Sequence, residues 1–167
     1  MKTCMNRLSS DWKSDRLKDV AAINAASLPA NTDPDYEFDY LEISNVDYYG
    51  IIDPMAIERL RYEDAPSRAR RRVAMNCTVI SSVRPNLQAV AFLNNGRTDF
   101  VCSTGFNVVQ PVATKLSPKF AYYRLISEGG RQYFEATAKG VGYPAVDDKD
   151  FGTFAVPLPP LPEQQRI

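Results

Sequence analysis

The pattern of hydrophobic and polar positions divides the chain into a strand-like first two thirds and a helical last third. Over 11–26, Trp12, Leu17, Val20 and Ile23 recur at helical intervals, which predicts a helix. The acidic, proline-containing segment 29–35 reads as a loop. Over 36–46, Tyr36, Phe38 and Tyr40 alternate with acids, the period-2 signature of a strand with one buried face. Asp53-Pro54 signals a short helix running to Leu60. The apolar runs 77–83, 89–93, 100–102 and 106–110 read as successive strands of a meander. Asn94-Asn95-Gly96 supplies one turn and Ser103-Thr104-Gly105 a break. Ser117-Pro118 starts a helix with Phe120, Tyr123, Leu125 and Ile126 on or near one face, ended by Gly129-Gly130. A second helix over 131–139 stops at Gly140. Strands followed by a helical hairpin predict an α+β fold, a strand-rich twisted sheet with a C-terminal hairpin. Beyond it, 140–146 is a loop, 147–151 a single helical turn, 154–156 a short strand and 157–162 (PLPPLP) a stiff, extended connector. Glu163 then opens another helix. Five helical residues are not stable alone, so the expectation is the start of a longer helix.

A length of 167 residues suits one domain with its own core. No run approaches the roughly 20 apolar residues of a membrane span, and the N-terminus has no apolar signal-peptide core. Cys4, Cys77 and Cys102 are odd in number and lack CxxC spacing, which fits a reducing cytoplasm. Histidine is absent. That removes the commonest general base and zinc ligand, and with them any Ser-His-Asp or Cys-His nucleophile. No P-loop or dinucleotide loop occurs, because Gly140 and Gly142 lack the third glycine and the strand-to-helix context.

Charge reorders this picture. The net charge is zero, but ten acids stand between 31 and 64 against Arg59 and Arg61. From 65 to 98 there is no acid, and Arg68, Arg70, Arg71, Arg72, Arg84 and Arg97 are all arginine. Arginine forks suit phosphate oxygens and guanine edges. The stretch 67–85 therefore reads as an arginine loop leading into a strand, an anion-facing surface with nucleic acid as the anion. Its bland alternative is a solvated basic loop paired with acids elsewhere. Further loops carry compatible groups. Arg84 precedes Pro85, and Asn86 and Gln88 have amides that can pair with adenine. Thr104 brings a hydroxyl, and Lys139 and Tyr143 flank the two glycines. The candidate DNA-binding set is thus Arg68, Arg70, Arg71, Arg72, Arg84, Asn86, Gln88, Thr104, Lys139 and Tyr143, with no catalytic or metal-ligating residue. Two competing readings remain. One is a metal-dependent nuclease using Asp35, Asp147 and Asp148. The other is an interaction module whose partner takes PLPPLP and the acids around 34–39.

The chain resembles the target-recognition domain of the specificity (S) subunit of type I restriction–modification systems. The resemblance is carried by Trp12 with Leu17-Lys18-Asp19-Val20, by Tyr40-Leu41-Glu42-Ile43-Ser44-Asn45-Val46, and by Ser67-Arg68-Ala69-Arg70. It continues in Ile80-Ser81-Ser82-Val83-Arg84-Pro85-Asn86-Leu87, in Ser103-Thr104-Gly105-Phe106 with Val108, and in Gly142-Tyr143-Pro144-Ala145-Val146. The most specific piece is the end, PLPPLPEQQRI over 157–167. The resemblance implies a recognition domain over 1–156 and, over 157–167, a proline-rich connector with the truncated start of a conserved spacer helix. It also implies a non-catalytic protein that reads one half of a split target in double-stranded DNA in the cytoplasm. Modification (methyltransferase) subunits would carry S-adenosylmethionine and methylate adenine. A restriction subunit would translocate and cleave DNA with ATP and Mg. None of these cofactors would be bound by this chain. The sequence departs from the family in extent. It holds one recognition domain where an S subunit usually has two, and so reads as half of a subunit, a truncated gene or an excised piece. A half-subunit would need a second recognition domain or a second copy to read a two-part site.

Overall fold

The computed structural model describes residues 12–94 and 100–166. In chain order they form β1 (Lys13–Arg16), the single turn α1 (Leu17–Val20), β2 (Ala21–Ile23), β3 (Glu37–Leu41) and β4 (Glu58–Arg61). There follow β5 (Ala69–Arg72), β6 (Cys77–Ser81), β7 (Val90–Leu93), β8 (Phe100–Ser103) and β9 (Phe106–Pro111). The chain then turns helical with α2 (Pro118–Ile126), α3 (Glu128–Thr137) and α4 (Asp148–Gly152), and continues through β10 (Ala155–Leu158) and α5 (Leu161–Gln164).

The apolar run of β6 explains the layering. Every residue of β6 is buried, so both its faces are covered. Ile80 points into one cluster with Val90, Val109, Phe120, Leu125 and Phe134, against the α2–α3 hairpin. Cys77 and Val79 point the other way, toward Leu41, Phe100, Cys102 and Phe106. The result is helices on an antiparallel sheet of order β2-β9-β6-β7, itself packed on a second sheet of order β4-β3-β8-β5. In that second sheet β3 and β8 run parallel, with Tyr40 opposite Val101. A third cluster, Leu28, Phe38, Tyr40, Ala69 and Val101, covers its outer face.

The α+β class and the helical hairpin hold, and several local expectations do not. The helix over 11–26 is one turn, because Leu17 and Val20 bury an i,i+3 pair and Ala21–Ile23 then joins the edge of β9. β3 is buried on both faces from Phe38 to Leu41, not on one. After Asp53 the helix is a 3-10 turn, Pro54–Ala56, capped by Asp53 at 2.9 Å from the Met55 amide, and the chain then becomes β4. The meander is split, since β7 and β8 lie in different sheets. The Asn-Asn-Gly turn between them falls at Asn95 and Gly96 outside the described residues. Gly129-Gly130 does not end α2. Both glycines lie inside α3, and Ser127 ends one helix and caps the next. Pro157 and Leu158 belong to β10, which pairs with β1.

Candidate nucleic-acid interface

Backbone hydrogen bonds tie three loops into one edge of the molecule. Ser82 donates from its amide and its hydroxyl to the Gly105 carbonyl, each at 2.9 Å. The Val146 amide donates to Ser82 O at 2.9 Å and the Arg84 amide to Pro144 O at 2.7 Å. Lys139 and Ala145 exchange bonds of 2.8 and 2.9 Å, which closes the loop between them. The Thr104 amide donates to Arg68 O at 2.9 Å, so the chain just before β5 joins the same edge. Four predicted loop regions, around residues 68, 84, 104 and 143, therefore do meet.

The side chains on this edge are held in different ways. Arg84 has φ +49, the left-handed region that costs a non-glycine residue about 1–2 kcal/mol. In that conformation its guanidinium lies 4.1 Å from the centroid of the Tyr143 ring, with Nη2 donating to Gly142 O at 3.5 Å. Tyr143 is 71% exposed, so the stacked pair stands in solvent. Asn86, exposed, rides the 3-10 turn Pro85–Leu87, and Gln88, half-buried, ends it at φ +51. Thr104 is exposed beside Arg68. Lys139 meets Asp147 and Asp150, each at 2.7 Å. Its pKa is raised, first by the Asp147 hydrogen bond and then by Asp150, and its charge is locally cancelled.

The arginine block is not the loop the sequence suggests. Residues 69–72 are strand β5, with a register shift against β8 between Ala69 and Arg71, and its arginine side chains take different partners. Arg68 donates to Glu42 through Nη2 and through Nε at 3.1 Å, and Nε also lies 3.2 Å from the Tyr40 hydroxyl. Glu42 is held below the usual carboxylate range, chiefly by the Arg68 hydrogen bond. Burial pushes the Tyr40 hydroxyl up. Arg70 donates to Ala69 O at 2.8 Å and lies 4.9 Å over the Tyr62 ring. Arg71 crosses to the other sheet, donating to Phe106 O and, at 3.2 Å, to Asn107 Oδ1. Arg72 is exposed, and its side chain has no partner among the described residues. Arg97 lies outside the described residues. Of the candidate set, the edge gathers Arg68, Arg84, Asn86, Gln88, Thr104, Lys139 and Tyr143, and the strand carries Arg70, Arg71 and Arg72 away from it.

Two participants escaped the sequence reading. Glu42 meets Arg68 across 26 residues, and no local pattern announces such a pair. Val141, fully exposed at the tip between Gly140 (φ +111) and Gly142 (φ +83), could have been noticed as an apolar residue flanked by turn glycines. Two of the three acids of the nuclease reading are otherwise engaged. Asp35 receives Arg61 Nη1 at 2.9 Å, and Asp147 caps α4 by accepting from the Asp150 amide at 2.8 Å. Among the described residues no group of three or more Cys, Asp or Glu side chains could hold a metal ion. Cys77 and Cys102 are buried, with thiols pushed up to about 12 by burial. No described helix is long and apolar enough to cross a membrane.

The chain is similar to known proteins over nearly its whole length. The model of the type I restriction modification DNA specificity domain matches residues 9–167. The chain is 25% identical over 171 aligned residues to the specificity subunit of the type I restriction enzyme HindI from Haemophilus influenzae, covering 95% of this chain and 34% of that protein. It superposes with TM-score 0.84 and 30% identity on a chain from a structure of a type I R-M system solved to explain complex assembly and conformational transition, covering 96% of this chain and 41% of that one. The HsdS subunit from Thermoanaerobacter tengcongensis gives TM-score 0.81 at 28% identity, covering 99% of this chain and 42% of that one. The chain thus spans about a third of the length of the curated relative.

Proposed function

Because the chain belongs to the family of type I restriction modification DNA specificity domains, we propose that it reads one half of a split target in double-stranded DNA and directs adenine methylation and cleavage there by partner subunits. The specificity-subunit family is non-catalytic. The observation that carries the reading is the loop edge itself. Backbone hydrogen bonds fix Arg84, Thr104 and Tyr143 relative to one another, as groups that must meet base edges in register require. Arg84 and Asn86 supply donors for the major groove. Arg72 and Arg70 suit phosphates, which position a protein without specifying sequence.

Residues 1–156 act as the recognition unit, and 157–167 lead toward a spacer helix on which modification subunits dock. Those subunits, with a restriction subunit, hold S-adenosylmethionine, ATP and Mg. A second recognition domain or a second copy supplies the other half-site, and the assembly works in the cytoplasm.

Grafting residues 1–167 into a complete S subunit in place of one recognition domain tests this, with methylated adenines mapped across a host genome. A new split motif with one half replaced and the other retained is the expected result. An assembled complex with unchanged methylation overturns the reading and favours the interaction-module alternative.

A further inference from the structure

Of the strand arginines Arg70 and Arg72 suit phosphate, but Arg68 is in a different situation. Its Nε and Nη2 are the two nitrogens of one edge of the guanidinium, and Glu42 occupies that edge. Tyr40 completes the bracket by donating to Glu42 Oε1 at 3.1 Å. Nη1 donates to nothing among the described residues, and Nη2 keeps its second hydrogen. The remaining edge of the fork therefore carries two parallel donors. The side chain is 57% exposed despite its ion pair, and it borders an open hollow with Ser103 and Thr104 on the loop edge. The carboxylate has two effects. It cancels the charge that would attract a phosphate, and it fixes the plane of the guanidinium. A phosphate clamp gains most from the charge that Glu42 here offsets. Bidentate reading of guanine O6 and N7 needs two parallel donors held in one plane.

We infer that Arg68, oriented by Glu42 and Tyr40, is a specificity-determining residue that reads a guanine in the recognised half-site, and is not a phosphate clamp. Glu42 and Tyr40 are positioning residues, acting only through the guanidinium. The inference rests on the reading of this edge as the DNA interface.

The 167-residue chain, incubated with a pool of randomised duplexes, gives an enriched motif. The same selection is run with Arg68→Ala, Arg68→Lys and Glu42→Gln, and binding to the best duplex is measured against salt. In the motif one guanine should lose its preference by about 10- to 100-fold in both Arg68 variants. Arg68→Lys keeps the charge, so its salt slope should match the wild type. Glu42→Gln unmasks the arginine charge. It should steepen the slope by roughly one unit and raise affinity for unrelated DNA while weakening the same guanine. A motif without guanine, or one whose guanines survive both Arg68 variants, overturns the inference and leaves the DNA reading intact. Full rescue by lysine with uniform weakening by alanine assigns Arg68 to phosphate and also overturns it. A wild-type chain that enriches no motif overturns the DNA reading itself, a result distinct from the other two.

Discussion

Arg71 and Arg72 are neighbours in sequence with opposite surroundings, and the difference can be measured. Arg71 satisfies a carbonyl and the amide oxygen of Asn107, a residue with 0% exposure. Removing Arg71 takes a charged donor from the Phe106 carbonyl and leaves Asn107 Oδ1 with Asn24 Nδ2 at 2.8 Å alone, so Arg71→Ala should cost about 1.5–3 kcal/mol in urea unfolding. The salt slope of DNA binding should stay unchanged. Arg72→Ala should leave stability within about 0.5 kcal/mol and flatten the slope by roughly one unit. A second prediction concerns acid. Asp147 and Glu42 both have depressed native pKa values, the first chiefly from the Asp150 amide bond and the second from Arg68. A carboxylate depressed in the folded state stabilises it above its unfolded pKa of about 4 and loses that contribution as pH falls through the lower native value. The urea midpoint should therefore be flat from these groups between about pH 5 and 7, then fall below about pH 4. The double variant Glu42→Gln, Asp147→Asn should show a shallower fall.

Elements are where sequence and structure agree most and where their differences are most instructive. The runs that became β6, β7, β8 and β9 were legible because each is short, apolar and bounded by turn residues. The hairpin was legible from Ser117-Pro118 and from its aromatic face. The junction was not. Gly129-Gly130 looks like a stop, yet a Cβ at Gly130 would lie 2.4 Å from the Leu125 carbonyl oxygen and 2.8 Å from that of Arg124. The glycine is there for close approach between two helices, a tertiary reason invisible in a local pattern. Ser127 performs the stop, with its hydroxyl donating to Arg124 O at 2.7 Å and accepting from the Gly130 amide at 3.2 Å. Gly130→Ala, which would favour an isolated helix, should here destabilise the protein by about 1–3 kcal/mol, seen as a lower urea midpoint. The loop edge was legible to a similar degree. Its loops could be picked out one by one, and the phosphate- and base-competent groups they share suggested one common face. Which arginines turn inward could not be read, because the strand character of 69–72 depends on β8, about 30 residues further on.

Across the whole molecule the layers are joined by a few buried polar ties. Gln164 is 1% exposed, accepts from the Ser117 amide at 2.8 Å and donates to Pro159 O at 2.9 Å and Lys115 O at 3.1 Å. It thereby anchors the short α5 to the start of the helical hairpin. Gln164→Leu would fill the same space and strand three backbone groups, so it should cost about 2–3 kcal/mol of stability. Its enriched DNA motif should be unchanged, because the loop edge makes no bond to it.

The two-stranded ribbon of β1 and β10 works at the same scale. Arg16 lies opposite Ala155 and Lys13 opposite Leu158, so a strand near the start of the described fold and one near its end run side by side in opposite directions. The ribbon behaves as a clasp that brings an early and a late strand of the fold together at one neck. A host chain that supplies two neighbouring attachment points needs no change of spacing to accept a different unit in the same setting. Recombination at the neck would then replace a whole reading surface at once and leave the host's own packing untouched.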